Sequence, residues 1–488
     1  MDELLNYFVQ SNREDTLPNF ERRAWFQTWL NRAFGMMLVE QGLLSKEDYL
    51  LIDRGLVSVQ AKETVERFKQ SPPEMDLYFY YEQALYKEIG MDTACKLHVG
   101  RSRNDIYFTL WRMCLREATL QLMAETLETQ RAIEKHASEN LDTVIPFYTY
   151  GQPAQPGTWA HYLMTIHAYF ERDLERLRHA YATINQCPMG AAAGIGTAFN
   201  LNKYRVAQVL GFDGTLENTT VANAAVDYFL ELISSMAILN TTLGRVGSDL
   251  VFFSSAECNI LDGDAYVCSG SSIMPQKKNY GPGSKLRARS MHLYSYLSDA
   301  MISAGSITMF PDQATLDYFP AFGRNCEQVI GSLKILRMAL EHTKIRKDVA
   351  YQRARDGFTA ATHMAEQLTM EIGEPFVKTH HIVGNMIHTL MDEDRLCVEN
   401  MTPELMQQSS IKMLGIKVDR TQEQINEMLD PLASLNAAVT GGTPKPADTQ
   451  KLIDDGQAAR VRNEAWLKDA RARLDEAYAQ VDKRMLRI

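Results

Sequence analysis

The chain has 488 residues, 45% of them hydrophobic and 23% charged, with a formal net charge of −10. That composition belongs to a globular protein too long for one core, so two or three lobes are expected. The acidic balance argues against a general nucleic-acid binder, which needs a basic face, and no uncharged apolar run is long enough to cross a bilayer. Helical periodicity dominates the chain. Tyr107 to Ser138 reads as one long helix, with apolar residues recurring at three- and four-residue steps. Residues 157–186 repeat the pattern, opening after Pro156 with Thr158 as the cap. Thr220 to Phe253 and Lys285 to Ala304 form two more helices, and strand signals are few and weak. Residues 437–449, with paired glycines and two prolines, read as a structured turn inside the last lobe.

Such long helices are not stable alone, because their apolar stripes need neighbours. The expected fold is therefore all-α, a bundle of long helices over 111–360 flanked by smaller helical lobes at 1–110 and 361–488. Residues 1–30 hold no signal-peptide core. The cysteines (Cys95, Cys114, Cys187, Cys258, Cys268, Cys326 and Cys397) are scattered, with no Cys-x-x-Cys pair. Neither a zinc site nor a disulfide framework is indicated, and a reducing cytoplasm is the expected location.

One stretch cannot be helical. Gly270-Ser271-Ser272-Ile273-Met274-Pro275-Gln276-Lys277-Lys278-Asn279, followed by Tyr280-Gly281-Pro282-Gly283, carries too many glycines and prolines. It places a hydroxyl, an ammonium and an amide on a backbone free to fold over a ligand. A serine used as a base needs its alkoxide stabilised, and a nearby lysine and amide could do that.

This string resembles the fumarase/aspartase superfamily signature G-S-S-x-M-P-x-K-x-N. Lys96 to Asp105 (KLHVGRSRND) is similar to the argininosuccinate lyase branch's K-L-H-T-G-R-S-R-N-D, and Thr149 to Pro156 (TYGQPAQP) to its T-H-L-Q-R-A-Q-P. Leu429-Asp430-Pro431 and Gly441-Gly442-Thr443 resemble its L-D-P and G-G-T. The resemblance implies a three-lobed all-α fold, a homotetramer whose active sites are each built from three chains, and elimination of fumarate from a succinyl compound. It implies no cofactor and no metal.

By the same resemblance Ser271 is the base, and Lys277 and Asn279 bind carboxylate and supply the field that activates it. Ser102, Arg103 and Asn104 hold the fumarate half, Thr149 contacts the same carboxylates, and Gln152 and Gln155 either add donors or pack a helix start. Arg101 is either a ligand or a structural ion-pair residue, Lys278 a solvated neighbour, and His98 and His161 structural. His380-His381 is a poor metal site, because adjacent side chains diverge on a helix.

The departures bear on substrate. The branch's catalytic histidine is Tyr150 here, and the glutamate that pairs with it is Ser284. Tyr150 either handles a proton or packs against the substrate. Its S-D-R-D motif reads Ala224-Ala225-Val226-Asp227, and the segment gripping arginine has become Phe310 to Phe319, with Phe310, Thr315 and Tyr318 replacing polar partners. A site that loses such partners loses several kcal/mol toward its old ligand. The expected activity is a C–N lyase that splits an N-substituted aspartate (an aminosuccinate) into fumarate and an amine other than arginine, run in either direction. Rival readings are argininosuccinate lyase itself, another superfamily chemistry such as C–O elimination, and a non-catalytic structural homologue.

Overall fold

One very long helix, Arg103–Ser138, organises the computed structural model, which describes residues 20–71, 76–310 and 320–485. Helices of ten residues or more are numbered α1 to α13. The N-terminal lobe holds α1 (Phe20–Glu40), α2 (Lys46–Lys62) and α3 (Leu77–Ile89), packed around Phe26, Phe34, Tyr49 and Phe68. The central bundle holds α4 (Arg103–Ser138), α5 (Trp159–Ile184), α6 (Asp227–Phe253), α7 (Gly281–Gly305) and α8 (Pro320–Glu341). The short α9 (Lys347–Asp356) leads to α10 (Ala361–Ile372), α11 (Phe376–Asp392) and α12 (Pro403–Leu414), whose core includes Met364, Leu368, Ile382 and Met386. The final helix, α13 (Pro446–Met485), returns along the bundle.

Named contacts fix the helix directions. Arg112, nine residues into α4, donates to the carbonyls of Thr183 (2.8 Å) and Ile184 (3.2 Å), so α5 runs antiparallel to α4. The same guanidinium lies 3.7 Å from the Tyr228 ring at the start of α6, while Phe253 at its end meets Trp159 at 6.0 Å. Helix α6 is therefore parallel to α4. Helix α7 runs back along it with little room to spare. A Cβ on Gly247 would come within 2.8 Å of the Gly283 carbonyl, and one on Gly244 within 2.4 Å of the Ser290 hydroxyl. Helix α13 is pinned to α4 through Glu134, buried between Arg460 (2.9 Å) and His167 (3.0 Å).

Several helix boundaries differ from expectation: α4 begins at Arg103 rather than Tyr107, and α13 begins at Pro446, inside the segment read as a turn. Gly281, Pro282 and Gly283 form the first turn of α7, where a proline is tolerated because early N–H groups have no intrahelical partner. The helix expected from Thr220 to Phe253 is broken, with Thr219–Ala224 separate from α6 and Val226 at φ −124°, ψ −9° between them.

Eight short strands pair into four two-stranded ribbons among the described residues. Three bear on the site: β1 (Val144–Thr149) with β2 (Gln152–Thr158), β5 (Leu261–Gly263) with β8 (Thr343–Ile345), and β6 (Cys268–Ser269) with β7 (Asn279–Tyr280). The remaining pair is β3 (Gln186–Cys187) with β4 (Gly214–Thr215).

Candidate active site

The residues singled out by sequence fall into three groups. The first opens α4. Ser102 is its N-cap, with Oγ accepting from Asn104 N at 3.3 Å while Asp105 Oδ1 accepts from Ser102 N at 2.9 Å. Asp105 is fully buried, and its other oxygen accepts from Gly190 N (3.2 Å) and Ala192 N (2.9 Å). Burial pushes this carboxyl up to about 6, against three backbone N–H groups that favour its charged form. Ser102 and Asn104 thus sit at the positive end of a long helix dipole, suited to a carboxylate. Arg103 is already engaged: Nη1 lies 2.8 Å from Asp76 and the guanidinium 5.3 Å from the Phe79 ring. Arg101 is buried, donates to Asn31 at 2.7 Å and covers Phe34, a structural role. His98 bonds to Tyr78 at 2.8 Å.

The second group is the tip of the β1–β2 hairpin. Thr149 pairs with Gln152, leaving Tyr150 (φ 53°) and Gly151 (φ 74°) as a two-residue turn. Positive φ at both positions is the type I′ turn that suits a strand's right-handed twist. A tyrosine there is sterically costly. Its side chain is fully exposed, and Thr149 and Gln152 are exposed beside it.

The third group is the loop between β6 and β7. Ser271 Oγ accepts from the backbone N–H of Ile273 (3.3 Å) and Met274 (3.1 Å). Those two donors are what an alkoxide at Ser271 would need. Asn279 Nδ2 donates to Gly270 O at 3.3 Å, closing the neck of the loop instead of reaching Ser271. The Lys277 ammonium is exposed, with no ion-pair partner among the described residues. Lys278, expected to be solvated, instead lies 2.6 Å from Asp262 on β5, and Arg346 lies 3.4 Å from the same carboxylate. The hydrogen bond with Asp262 raises the Lys278 ammonium, and it lowers the Asp262 carboxyl. At the other end His342 is 2.8 Å from Asp264, and Tyr280 bonds to Thr343 at 2.9 Å. The β5–β8 ribbon is the platform on which the loop stands.

One chain does not bring all three groups together. With 36 residues at about 1.5 Å each, α4 is about 54 Å long. Ser102 and Asn104 begin it, whereas Thr149 and Tyr150 follow its end. The residues from Ser138 to Thr149 span at most about 40 Å fully extended, which leaves a gap of at least about 14 Å. The loop's Tyr280 shares a cavity with His136 and Trp159, so it stands at the hairpin's end of the bundle.

Comparison with known proteins gives the family. Residues 30–281 match the Lyase family model and residues 358–436 the Argininosuccinate lyase C-terminal model. The chain is 32% identical to the argininosuccinate lyase of Methanosarcina barkeri over 440 residues, which is 90% of this chain and 88% of the relative. It is also 32% identical to that of Methanocaldococcus jannaschii over 456 residues, covering 93% and 90%. The chain belongs to the argininosuccinate lyase-like branch of the fumarase/aspartase superfamily. An EDDS lyase variant with bound fumarate has the same fold at TM-score 0.88 and 27% identity, covering 99% of this chain and 94% of that one. The class II fumarase of Schistosoma mansoni, at TM-score 0.70 and 15% identity over 88% of this chain and 94% of its own, shares the fold.

As a carbon–nitrogen lyase of this branch, the protein keeps the loop and the α4 cap but differs at the hairpin. Tyr150 occupies the turn, and Ser284 is exposed in the first turn of α7. Phe310 is exposed, whereas residues 311–319, with the substitutions at Thr315 and Tyr318, lie outside the described residues. Asp262 was missed by sequence reasoning, since its partner lies 16 residues away across a ribbon. Asp105 entered the sequence reading only as the last residue of the KLHVGRSRND run, and its capping role was missed although it stands three residues after Ser102.

Proposed function

We propose that this lyase splits the C–N bond of an N-substituted aspartate, giving fumarate and an amine other than arginine. The observation that carries this is the pairing of a retained fumarate-type set with a changed amine-side set. Ser271, Lys277, Asn279, Ser102, Asn104 and Thr149 match the branch, while Tyr150, Ser284 and Val226 do not. Ser271 takes the proton from the carbon beside one carboxylate. The electron pair delocalises into that carboxylate, whose growing charge Lys277 and Asn279 offset. The pair then returns to form the double bond as the C–N bond breaks, and the amine leaves with a proton from Tyr150 or solvent. Thr149 and Gln152, with Ser102 and Asn104, hold the carboxylates. Arg103, committed to Asp76, contributes through the local field.

The length of α4 supports a homotetramer with each site drawn from three chains. The fully exposed Tyr150 turn then projects into a neighbour's site. The division into lobes at 1–110, 111–360 and 361–488 is part of the same reading, with α13 lying back against the central lobe. A cytoplasmic location fits a metabolic lyase of this kind.

Incubation with argininosuccinate, followed by fumarate absorbance, tests the reading. Little or no release is expected, and release at the several turnovers per second usual for metabolic enzymes would overturn it. That outcome would favour the second reading, argininosuccinate lyase itself, to which the 32% identity of relatives so named points.

A further inference from the structure

Two segments far apart in the chain meet at one buried carboxylate. Asp105 Oδ1 accepts from Ser102 N on the α4 cap, while Oδ2 accepts from Gly190 N (3.2 Å) and Ala192 N (2.9 Å) on the turn at residues 188–196. The turn is tightly wound, with Gly194 N and Gly196 N both donating to the Ala191 carbonyl, at 2.9 and 3.0 Å. Ala192 has φ 51°, a left-handed conformation that an alanine keeps only where its surroundings hold it. Asp105 grips its N–H, and Asn223, buried in the short helix Thr219–Ala224, donates to its carbonyl at 2.5 Å. Thr220 of the same helix donates to the Gly194 carbonyl at 3.0 Å.

The chain just beyond the turn also bears on the segment leading into the cap. A Cβ on Gly100 would stand 3.1 Å from the side chains of Thr197 and Leu201. Ser102 and Asn104 therefore lie between two points at which this stretch touches the α4 end, Gly100 and Asp105. The charged form of Asp105 suits the arrangement and the acid form does not. Three N–H groups point at its two oxygens, and a protonated oxygen is a poorer acceptor with a hydrogen of its own to place. Arg101 faces the carboxylate from the segment before the cap, with Tyr78, Tyr86 and Glu82 of α3 around that guanidinium. His98, beside Arg101, is held below its usual value by burial. From β3 comes the Cys187 thiol, pushed up to about 12 by burial and so uncharged. Asn223 and Thr220 bring no charge.

We infer that Asp105 is a positioning residue for the carboxylate-binding end of α4: by latching the 188–196 turn to the cap, it sets where Ser102 and Asn104 stand. Contact with substrate stays with those two residues, and Asp105 acts through them. The inference rests on the proposed function for one point, that this cap holds a carboxylate of the fumarate half. With its carboxyl pushed up to about 6, Asp105 is mostly charged at neutral pH and mostly protonated in mild acid, where the latch opens.

The test follows fumarate binding to the full chain by calorimetry from about pH 8 down to about pH 5.5, a range in which fumarate stays ionised. Protection of the Gly190 and Ala192 amides against hydrogen exchange is read on the same samples. The wild type should lose about fourfold in affinity across that range, as the fraction with Asp105 charged falls, and the two amides should lose protection in step. Asp105→Asn keeps an oxygen for the Ser102 N–H but turns an NH2 group toward Gly190 and Ala192. It should bind fumarate about tenfold more weakly at the alkaline limit, with no pH dependence left. Thr220→Val removes the hydroxyl on the Gly194 carbonyl and leaves Asp105 in place, so it tests the turn even if Asp105→Asn fails to fold. It should weaken binding by about threefold and keep the pH dependence. Wild-type affinity that is flat with pH overturns the inference, and so does full affinity in either variant, since a merely structural latch would move only the thermal midpoint. In those cases the proposed reaction still stands. A wild type that binds no fumarate at any pH overturns the proposed function together with the inference.

Discussion

Lys278 Nζ lies 2.6 Å from Asp262 Oδ1, whereas its neighbour Lys277 has no such partner among the described residues. Adjacent side chains on an extended segment point to opposite faces. One lysine therefore ties the signature loop to the β5–β8 platform, and its charge is spent there. The other has no ion-pair partner among the described residues, as the proposed carboxylate-binding role requires.

Asp262→Asn should loosen the loop without unfolding the protein, because an exposed ion pair contributes about 0.2–1 kcal/mol. Backbone amide exchange at Ile273 and Met274, whose N–H groups bond to Ser271, should accelerate by up to about fivefold. Unchanged exchange there would mean that Lys278 does not anchor the loop.

Ser271→Ala should lower turnover by about a thousandfold or more with the fold intact, since the residue lies in an exposed loop and its loss touches the reacting proton. Mixing this variant with Asn104→Ala should restore part of the activity, because one reassembled site can then hold both intact residues. Absence of any restoration after denaturation and co-refolding would argue against sites shared between chains.

Tyr150→Phe keeps the ring and deletes the hydroxyl. If the phenol handles the leaving amine's proton, turnover should fall by about a hundredfold with substrate binding unchanged. Turnover equal to the wild type would make the residue a shape element.

Glu134 is buried between Arg460 and His167. Burial alone would raise its carboxyl, but hydrogen bonds from His167 and Arg460 outweigh this and lower it below 4.5. A carboxyl lowered in the folded state stabilises fully above its unfolded value and loses that contribution as pH falls through the folded one. Glu134→Gln should therefore cost about 3 kcal/mol or more near neutrality. The gap in thermal midpoint between variant and wild type should narrow as the pH drops below 4.5. A gap independent of pH would contradict the ion-pair account.

Local periodicity makes the bundle legible in the sequence. The Ser138 end of α4 and the Thr158 cap of α5 both stand where the apolar spacing and capping chemistry put them. The β1–β2 hairpin is not legible, because Gln152-Pro153-Ala154-Gln155-Pro156-Gly157 has little β-propensity and owes its extended form to pairing with β1. The type I′ turn is hidden too, since a tyrosine stands where asparagine or aspartate usually announces it. Motif residues can be found individually, but their separation along α4 follows from helix length, which no single motif contains. The Lys278–Asp262 tie depends on a ribbon register, which spacing along the chain does not encode.

The signature loop has two unlike ends. Where it runs into α7, Gly283 lies against the Gly247 carbonyl, so that even a methyl group there would come within 2.9 Å of it. At Gly270, where the loop departs, a methyl group would meet nothing within 4 Å. Both ends are held, but differently: the exit into α7 by close backbone packing, and the departure by the β6–β7 pairing and the Asn279 amide, with open space around Gly270. A side chain could therefore be added at Gly270 without a clash, whereas at Gly283 even a methyl group would force α6 and α7 apart.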